Sequence, residues 1–118
     1  MPGISIHVVD VARGLPARGL QVEVVRIDGD RSARVGGGPV TESGNIDDQA
    51  LAAGQAVTAG TYEARLAAGA YFRDVGAVTD DPAFLETVLF RFVVNQPGEH
   101  YHLPIKLTPW GLSVWRGR

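Results

Sequence analysis

The chain contains no cysteine in its 118 residues. That excludes a disulfide framework, a thiolate nucleophile and any zinc site built on thiolates. It fits a cytoplasmic protein, since oxidising compartments are where disulfides persist. Runs of one charge are also missing. The 13 acidic and 11 basic residues leave a formal charge of −2, and no Lys or Arg cluster offers a footprint for nucleic acid. No apolar stretch approaches the roughly 20 residues needed to cross a membrane. The opening Met1-Pro2-Gly3-Ile4-Ser5-Ile6-His7 lacks the charged start and apolar run of a secretory signal, and the closing Arg116-Gly117-Arg118 is no peroxisomal address. Ser5, Ser32, Ser43 and Ser113 lie in no Gly-x-Ser-x-Gly elbow. Gly36-Gly37-Gly38 is not followed by the lysine of a phosphate-cradling loop.

What is present is an ordinary apolar fraction of 45%, enough for one domain, residues 1–118, with one hydrophobic core. Turn residues recur at short intervals between runs rich in Val, Ile, Leu, Phe and Tyr, which predicts an all-β sandwich or barrel of about eight strands. Strands are expected at Ile4–Val11 and Leu20–Ile27, the second closed by Asp28-Gly29-Asp30. The three glycines and Pro39 should break the chain before a short run at Val40-Thr41, and Glu42-Ser43-Gly44-Asn45 reads as a turn. Asp47–Ala53 suits one or two turns of helix. Thr61–Leu66 alternates, Gly69–Phe72 follows as a further run, and Arg73–Pro82 reads as a loop. Leu85–Val94 is the longest expected strand, with Val88, Phe90, Phe92 and Val94 inward. Asn95-Gln96-Pro97-Gly98 turns into a closing pair of strands joined at Pro109-Trp110-Gly111. Trp110 and Trp115 read as packing residues.

The closing pair carries the most chemistry. Successive strand side chains point to opposite faces, so His100, His102, Pro104 and Lys106 share one face while Tyr101, Leu103, Ile105 and Leu107 share the other. An apolar back with two imidazoles in front is built to present those imidazoles. The third histidine, His7, shares a face with Ser5, Val9 and Val11. If the first and last strands are neighbours, His7 and His102 converge. Imidazole accepts or donates a proton near neutral pH and is the usual general base. Two alternatives stand beside that reading: three surface or hydrogen-bonded histidines with no catalytic task, and a three-histidine metal site. Lys106, beside the imidazoles, would oppose their protonation.

Several separated motifs, in order and almost end to end, resemble the transthyretin-like 5-hydroxyisourate hydrolases: Ile6-His7-Val8-Val9-Asp10-Val11-Ala12-Arg13-Gly14-Leu15-Pro16-Ala17, Gly60-Thr61-Tyr62, Gly69-Ala70-Tyr71-Phe72, His100-Tyr101-His102-Leu103-Pro104 and Thr108-Pro109-Trp110-Gly111-Leu112-Ser113. The resemblance implies a transthyretin-like two-sheet β-sandwich with one short helix. It implies a homotetramer, a dimer of dimers with its sites in the channel where dimers meet. It implies hydrolysis of 5-hydroxyisourate, the product of urate oxidation, by opening of the six-membered ring without a cofactor. His7 and His102 would position and deprotonate the attacking water, with His100 in support. The substrate-facing positions implied are Asn45, Ser113, Trp115, Arg116 and Arg118.

This chain departs from that family at those same positions. Asn45 stands where the family has an arginine that holds the polar edge of the substrate, and an amide supplies neither the charge nor the fork of a guanidinium. The ending Trp115-Arg116-Gly117-Arg118 replaces Tyr-Arg-Gly-Ser, and Lys106 replaces an apolar residue. A modified substrate such as an N-methylated hydroxyisourate, a compensating cation at Lys106 or Arg118, or a channel that only binds a small molecule are the three readings of those changes.

Overall fold

A computed structural model describes residues 2–117. Eight strands, β1 (Gly3–Asp10), β2 (Leu15–Pro16), β3 (Gln21–Asp28), β4 (Arg31–Pro39), β5 (Gly60–Leu66), β6 (Val88–Val94), β7 (His100–Thr108) and β8 (Gly111–Val114), are joined by two short helices, α1 (Gln49–Ala53) and α2 (Ala68–Asp74). One sheet has the order β2-β1-β7-β8 and the other β4-β3-β5-β6. The expected two-sheet sandwich is the observed architecture.

The core lies between the sheets and follows from alternation. Ile4, Ile6 and Val8 of β1 and Tyr101, Leu103, Ile105 and Leu107 of β7 are buried against Val22 and Val24 of β3 and Tyr62, Ala64 and Leu66 of β5. Each fully buried Leu or Ile contributes about 1.5–3 kcal/mol, so the register of every strand is held by the side chains it turns inward. The strand pairs are antiparallel with one exception. β1 and β7 run parallel through eight matched residues, from Gly3 opposite His100 to Asp10 opposite Leu107. Parallel neighbours cannot be joined by a hairpin, and the whole second sheet forms the crossover between them.

Three local expectations are corrected. The triple glycine does not break the chain but lies within β4, a nine-residue strand. The reason is close approach. A Cβ on Gly36 would fall 2.6 Å from Asp48 Oδ2, and one on Gly37 would fall 2.3 Å from the Val22 carbonyl oxygen. Only glycine lets the strand lie that near to β3 and α1. Second, Gly69–Phe72 is not a strand, and residues 73 and 74 are not loop. Both belong to α2, whose buried residues Ala68, Tyr71 and Phe72 recur at helical spacing. Third, the strand expected from Leu85 begins at Val88. The tryptophans do not fill the core either. Trp110 is 67% exposed and leans on Phe84, with ring centroids 6.0 Å apart.

Two buried carboxylates tie elements together. Asp10, at the end of β1, accepts a hydrogen bond from the Tyr71 hydroxyl of α2 at 2.8 Å, and burial together with that carboxylate pushes the phenol up to about 12. Glu63 on β5 is held by Arg91 and Arg65, whose hydrogen bonds keep its carboxyl below the usual range. Asp48 caps α1 by accepting from the Leu51 N–H at 3.0 Å and also accepts from the Gly37 N–H at 2.9 Å. Burial alone would raise its pKa. The N–H donors of Leu51 and Gly37, with Arg34 nearby, outweigh burial and lower it.

Asp48→Ala removes the cap and strands the Gly37 N–H, so urea unfolding should show a loss of about 1–2 kcal/mol. Because the folded pKa is depressed, that contribution is full above the ordinary carboxylate value. It fades as the pH falls through the lowered one.

Candidate active site

The parallel pairing of β1 and β7 decides where the histidines stand. Its register sets Ser5 opposite His102, His7 opposite Pro104 and Val9 opposite Lys106. Matched residues on neighbouring strands project from the same side of the sheet. The outer face of this sheet therefore carries Ser5 and His7 from β1 and His100, His102, Pro104 and Lys106 from β7. His7 and His102 come onto one face of adjacent strands, the first strand lying beside the last but one.

The turn at residues 41–45 brings in a third element. Asn45 forms an isolated antiparallel bridge with His7, and the Val8 N–H donates to the Gly44 carbonyl at 2.9 Å. Asn45 is thus beside His7 on the same face. Its side-chain amide donates to Ser43 Oγ at 3.3 Å. His7 Nε2 lies 3.0 Å from the Ser43 carbonyl oxygen. A carbonyl only accepts, so that nitrogen carries the hydrogen and Nδ1 of the neutral ring keeps its lone pair. Gly44 makes this possible. Its φ is +93°, and a Cβ there would fall 2.4 Å from His7 Nε2.

The fourth element is the C-terminal segment. β8 pairs with β7 from Thr108 opposite Gly111 to Ile105 opposite Val114. The same register is resumed where Gly117 bridges His102, its N–H donating to the His102 carbonyl at 2.8 Å. Ser113, opposite Lys106, falls on the histidine face. Trp115 does too, with the Lys106 ammonium 5.7 Å from its ring centroid. Arg116 falls on the other face. Its guanidinium stacks 3.9 Å over Tyr101 and donates to Glu99 and to the His100 carbonyl. There it lines a cavity of about 340 Å³ at the edge of the sandwich, with Phe90, Phe92 and Leu103. Of the positions implied as substrate-facing, Asn45, Ser113 and Trp115 are on the histidine side and Arg116 is turned away. Arg118 lies outside the described residues.

Ser5 was not singled out as a site residue, yet its Oγ is 2.7 Å from both His100 Nε2 and His102 Nδ1. His100 Nδ1 is 3.1 Å from the Pro2 carbonyl oxygen. Alternation places Ser5 on the His7 face, but only the β1–β7 register puts it between the other two imidazoles. His102 is half-buried. Burial, with the nearby His100 and His7, holds its pKa below the ordinary value, and a backbone hydrogen bond at Ser5 opposes that only in part. The ring is accordingly neutral at physiological pH, the form that can take a proton. No group of three or more His, Asp or Glu side chains among the described residues is arranged to hold a metal ion, so the three-histidine metal reading has no cluster to support it.

Residues 4–117 match the HIUase/Transthyretin family, and the chain belongs to it. It is 40% identical over 114 residues to a protein of Rhizobium meliloti named 5-hydroxyisourate hydrolase 2, covering 97% of this chain and 94% of that one. It is 38% identical over 116 residues to the 5-hydroxyisourate hydrolase of Deinococcus radiodurans, covering 98% and 96%. Among solved structures it is similar to Klebsiella pneumoniae 5-hydroxyisourate hydrolase, with a TM-score of 0.76, 26% identity and 98% of each chain covered. It is also similar to (S)-allantoin synthase, with a TM-score of 0.87 and 31% identity over 98% of this chain but 43% of that one. Sea bream transthyretin shares the fold, with a TM-score of 0.84.

Gly44→Ala forces a side chain into a left-handed backbone position and into the His7 ring. It should cost about 1–3 kcal/mol in thermal unfolding and displace the His7 imidazole resonances by NMR. An unmoved His7 signal would show that the turn does not set that ring.

Proposed function

We propose that the protein is a hydrolase that opens the six-membered ring of 5-hydroxyisourate, or of a closely related modified cyclic ureide, in purine breakdown. One observation carries this reading: His7 and His102 stand on one face of adjacent strands, each half-exposed, beside the one asparagine that the family resemblance assigns to substrate. The relatives named 5-hydroxyisourate hydrolase support the substrate class.

In this mechanism His102 removes a proton from water as the water oxygen attacks the ring amide carbonyl. The tetrahedral adduct collapses with cleavage of the C–N bond, and the departing nitrogen takes up the proton that the water gave to His102. His7 orients the water through its free Nδ1. Asn45 supplies a neutral donor and acceptor to the polar edge of the ring. The half-exposed Trp115 offers a flat apolar surface, and Lys106 brings a cation to the same side. No step calls for a cofactor.

A flat sheet face cannot by itself enclose a small molecule, and ligand sites are concave. A second subunit facing this one would close the site. The proposed assembly is a homotetramer, a dimer of dimers, with the histidine faces meeting across the dimer–dimer interface. Among the four edge strands, β6 exposes Leu89 and Val93, β8 exposes Leu112 and β2 exposes Leu15, any of which could serve the other contact. Light scattering coupled to gel filtration tests the tetramer, and a monomer at working concentration would remove it.

The activity is tested by generating 5-hydroxyisourate in situ with urate oxidase and following its ultraviolet decay. Acceleration by the protein supports the hydrolase reading, and none would leave a channel that only binds small molecules. His102→Ala and His7→Ala should each lower kcat/KM by about 10²–10⁴ with the assembly intact. Retained activity in both would sink the mechanism. Asn45→Arg should raise turnover of unmodified substrate relative to methylated analogues. Because the His102 pKa is lowered, kcat/KM should be level through neutrality. It should fall only as the pH drops through a value below the ordinary 6.5.

A further inference from the structure

The histidine face contains an unbroken run of polar contacts: the Pro2 carbonyl, His100, Ser5 and His102. Its direction can be worked out from one end. The Pro2 oxygen can only accept, so His100 Nδ1 carries a hydrogen, and Nε2 of the neutral ring is an acceptor. Ser5 has a single hydroxyl hydrogen, which must go to that acceptor at 2.7 Å. The Ser5 oxygen then accepts from His102 Nδ1–H, also at 2.7 Å. The proton of His102 is thereby assigned to Nδ1, and Nε2 keeps its lone pair. A backbone carbonyl at the start of the chain selects the tautomer of a ring two side chains away.

The run also has a second self-consistent state. If His102 Nε2 gains a proton, its Nδ1 hydrogen can pass to Ser5 Oγ as the Ser5 hydrogen passes to His100 Nε2. The N–H at His102 Nδ1 breaks, an O–H forms at Ser5, the former O–H breaks, and an N–H forms at His100. His102 is left neutral with its hydrogen on Nε2, and His100 becomes the imidazolium, still donating to Pro2. Every contact survives with its donor and acceptor reversed between Ser5 and the two rings. Desolvation disfavours charge on His102, which favours moving it outward.

We propose that Ser5 and His100 are positioning residues that hold His102 in its Nδ1–H tautomer, and that the Ser5 hydroxyl passes the proton charge received by His102 on to His100. This rests on the hydrolase reading above for its purpose, but not for its test. The titratable and charged groups facing the pair are His7 on β1 and Lys106 further along β7. Arg116, paired with Glu99, touches the His100 backbone carbonyl.

Long-range proton–nitrogen NMR of protein carrying 15N-histidine reads the tautomers without substrate. Above the titration range His102 should show a protonated Nδ1 and a bare Nε2. On acidification His100 and His102 should respond together in the first step, because they share one proton. Ser5→Ala should convert His102 toward the Nε2–H form and separate the two titrations, and Ser5→Thr should restore both. In the enzyme assay Ser5→Ala should lower kcat by roughly tenfold or more with a smaller change in KM, and Ser5→Thr should recover it. An Nε2–H ring in the parent protein, or a His102 tautomer indifferent to Ser5→Ala, overturns the proposal. A parent protein with the Nδ1–H form but no turnover of 5-hydroxyisourate supports the tautomer selection and overturns the reaction assignment instead.

Discussion

The parallel pairing of β1 with β7 is the constraint on which the rest depends. Among the described residues it is the one parallel ladder in two otherwise antiparallel sheets. Its register is held by side chains on the far side of the sheet, where Ile4, Ile6 and Val8 interlock with Tyr101, Leu103, Ile105 and Leu107 in the core. A slip of β7 by one residue would turn its apolar side chains outward and His100 and His102 inward. The core therefore fixes the chemistry on the opposite surface, and the arrangement of three histidines and a serine is an outcome of hydrophobic packing.

Around that ladder the backbone recruits two further segments by the same kind of pairing. The turn at residues 41–45 reaches His7 through the Asn45 bridge, and the segment after β8 reaches His102 through Gly117. Each imidazole is thus flanked on its open side by backbone instead of bulky side chains, and each flanking position has a glycine close against the ring. Gly44 would collide with His7 if it carried a Cβ, and a Cβ at Gly117 would come within 3.1 Å of His102 Cδ2. These glycines do for the rings what Gly36 and Gly37 do for the approach of β4 to β3 and α1.

Much of this was legible in the sequence, for identifiable reasons. The two faces of β7 follow from strict alternation over His100–Leu107, because one side must enter a core. The approach of His7 to His102 follows once the first strand lies beside β7, the last strand but one. The role of Ser5 needed more. Its partners are 95 and 97 residues away, and no local pattern encodes that register. The direction of Arg116 is hidden for a related reason. Sequence spacing shows that it alternates with Trp115 and Gly117, but not which of the two sets faces the histidines. Gly69–Phe72 of α2 reads as a strand because the run is too short for its period to be seen. Its helical spacing shows only when Ala68, Tyr71 and Phe72 are found buried together.

The two indoles sit in different surroundings. Trp110 is at the tip of the β7–β8 turn against Phe84, while Trp115 lies beneath the Lys106 ammonium on the histidine face. They are the only tryptophans in the chain. With Trp110 replaced by phenylalanine, the tryptophan emission of this protein, excited selectively over its three tyrosines, would come from a single indole within the proposed site. Molecules arriving there could then be followed by their effect on light, independently of whether any bond is broken.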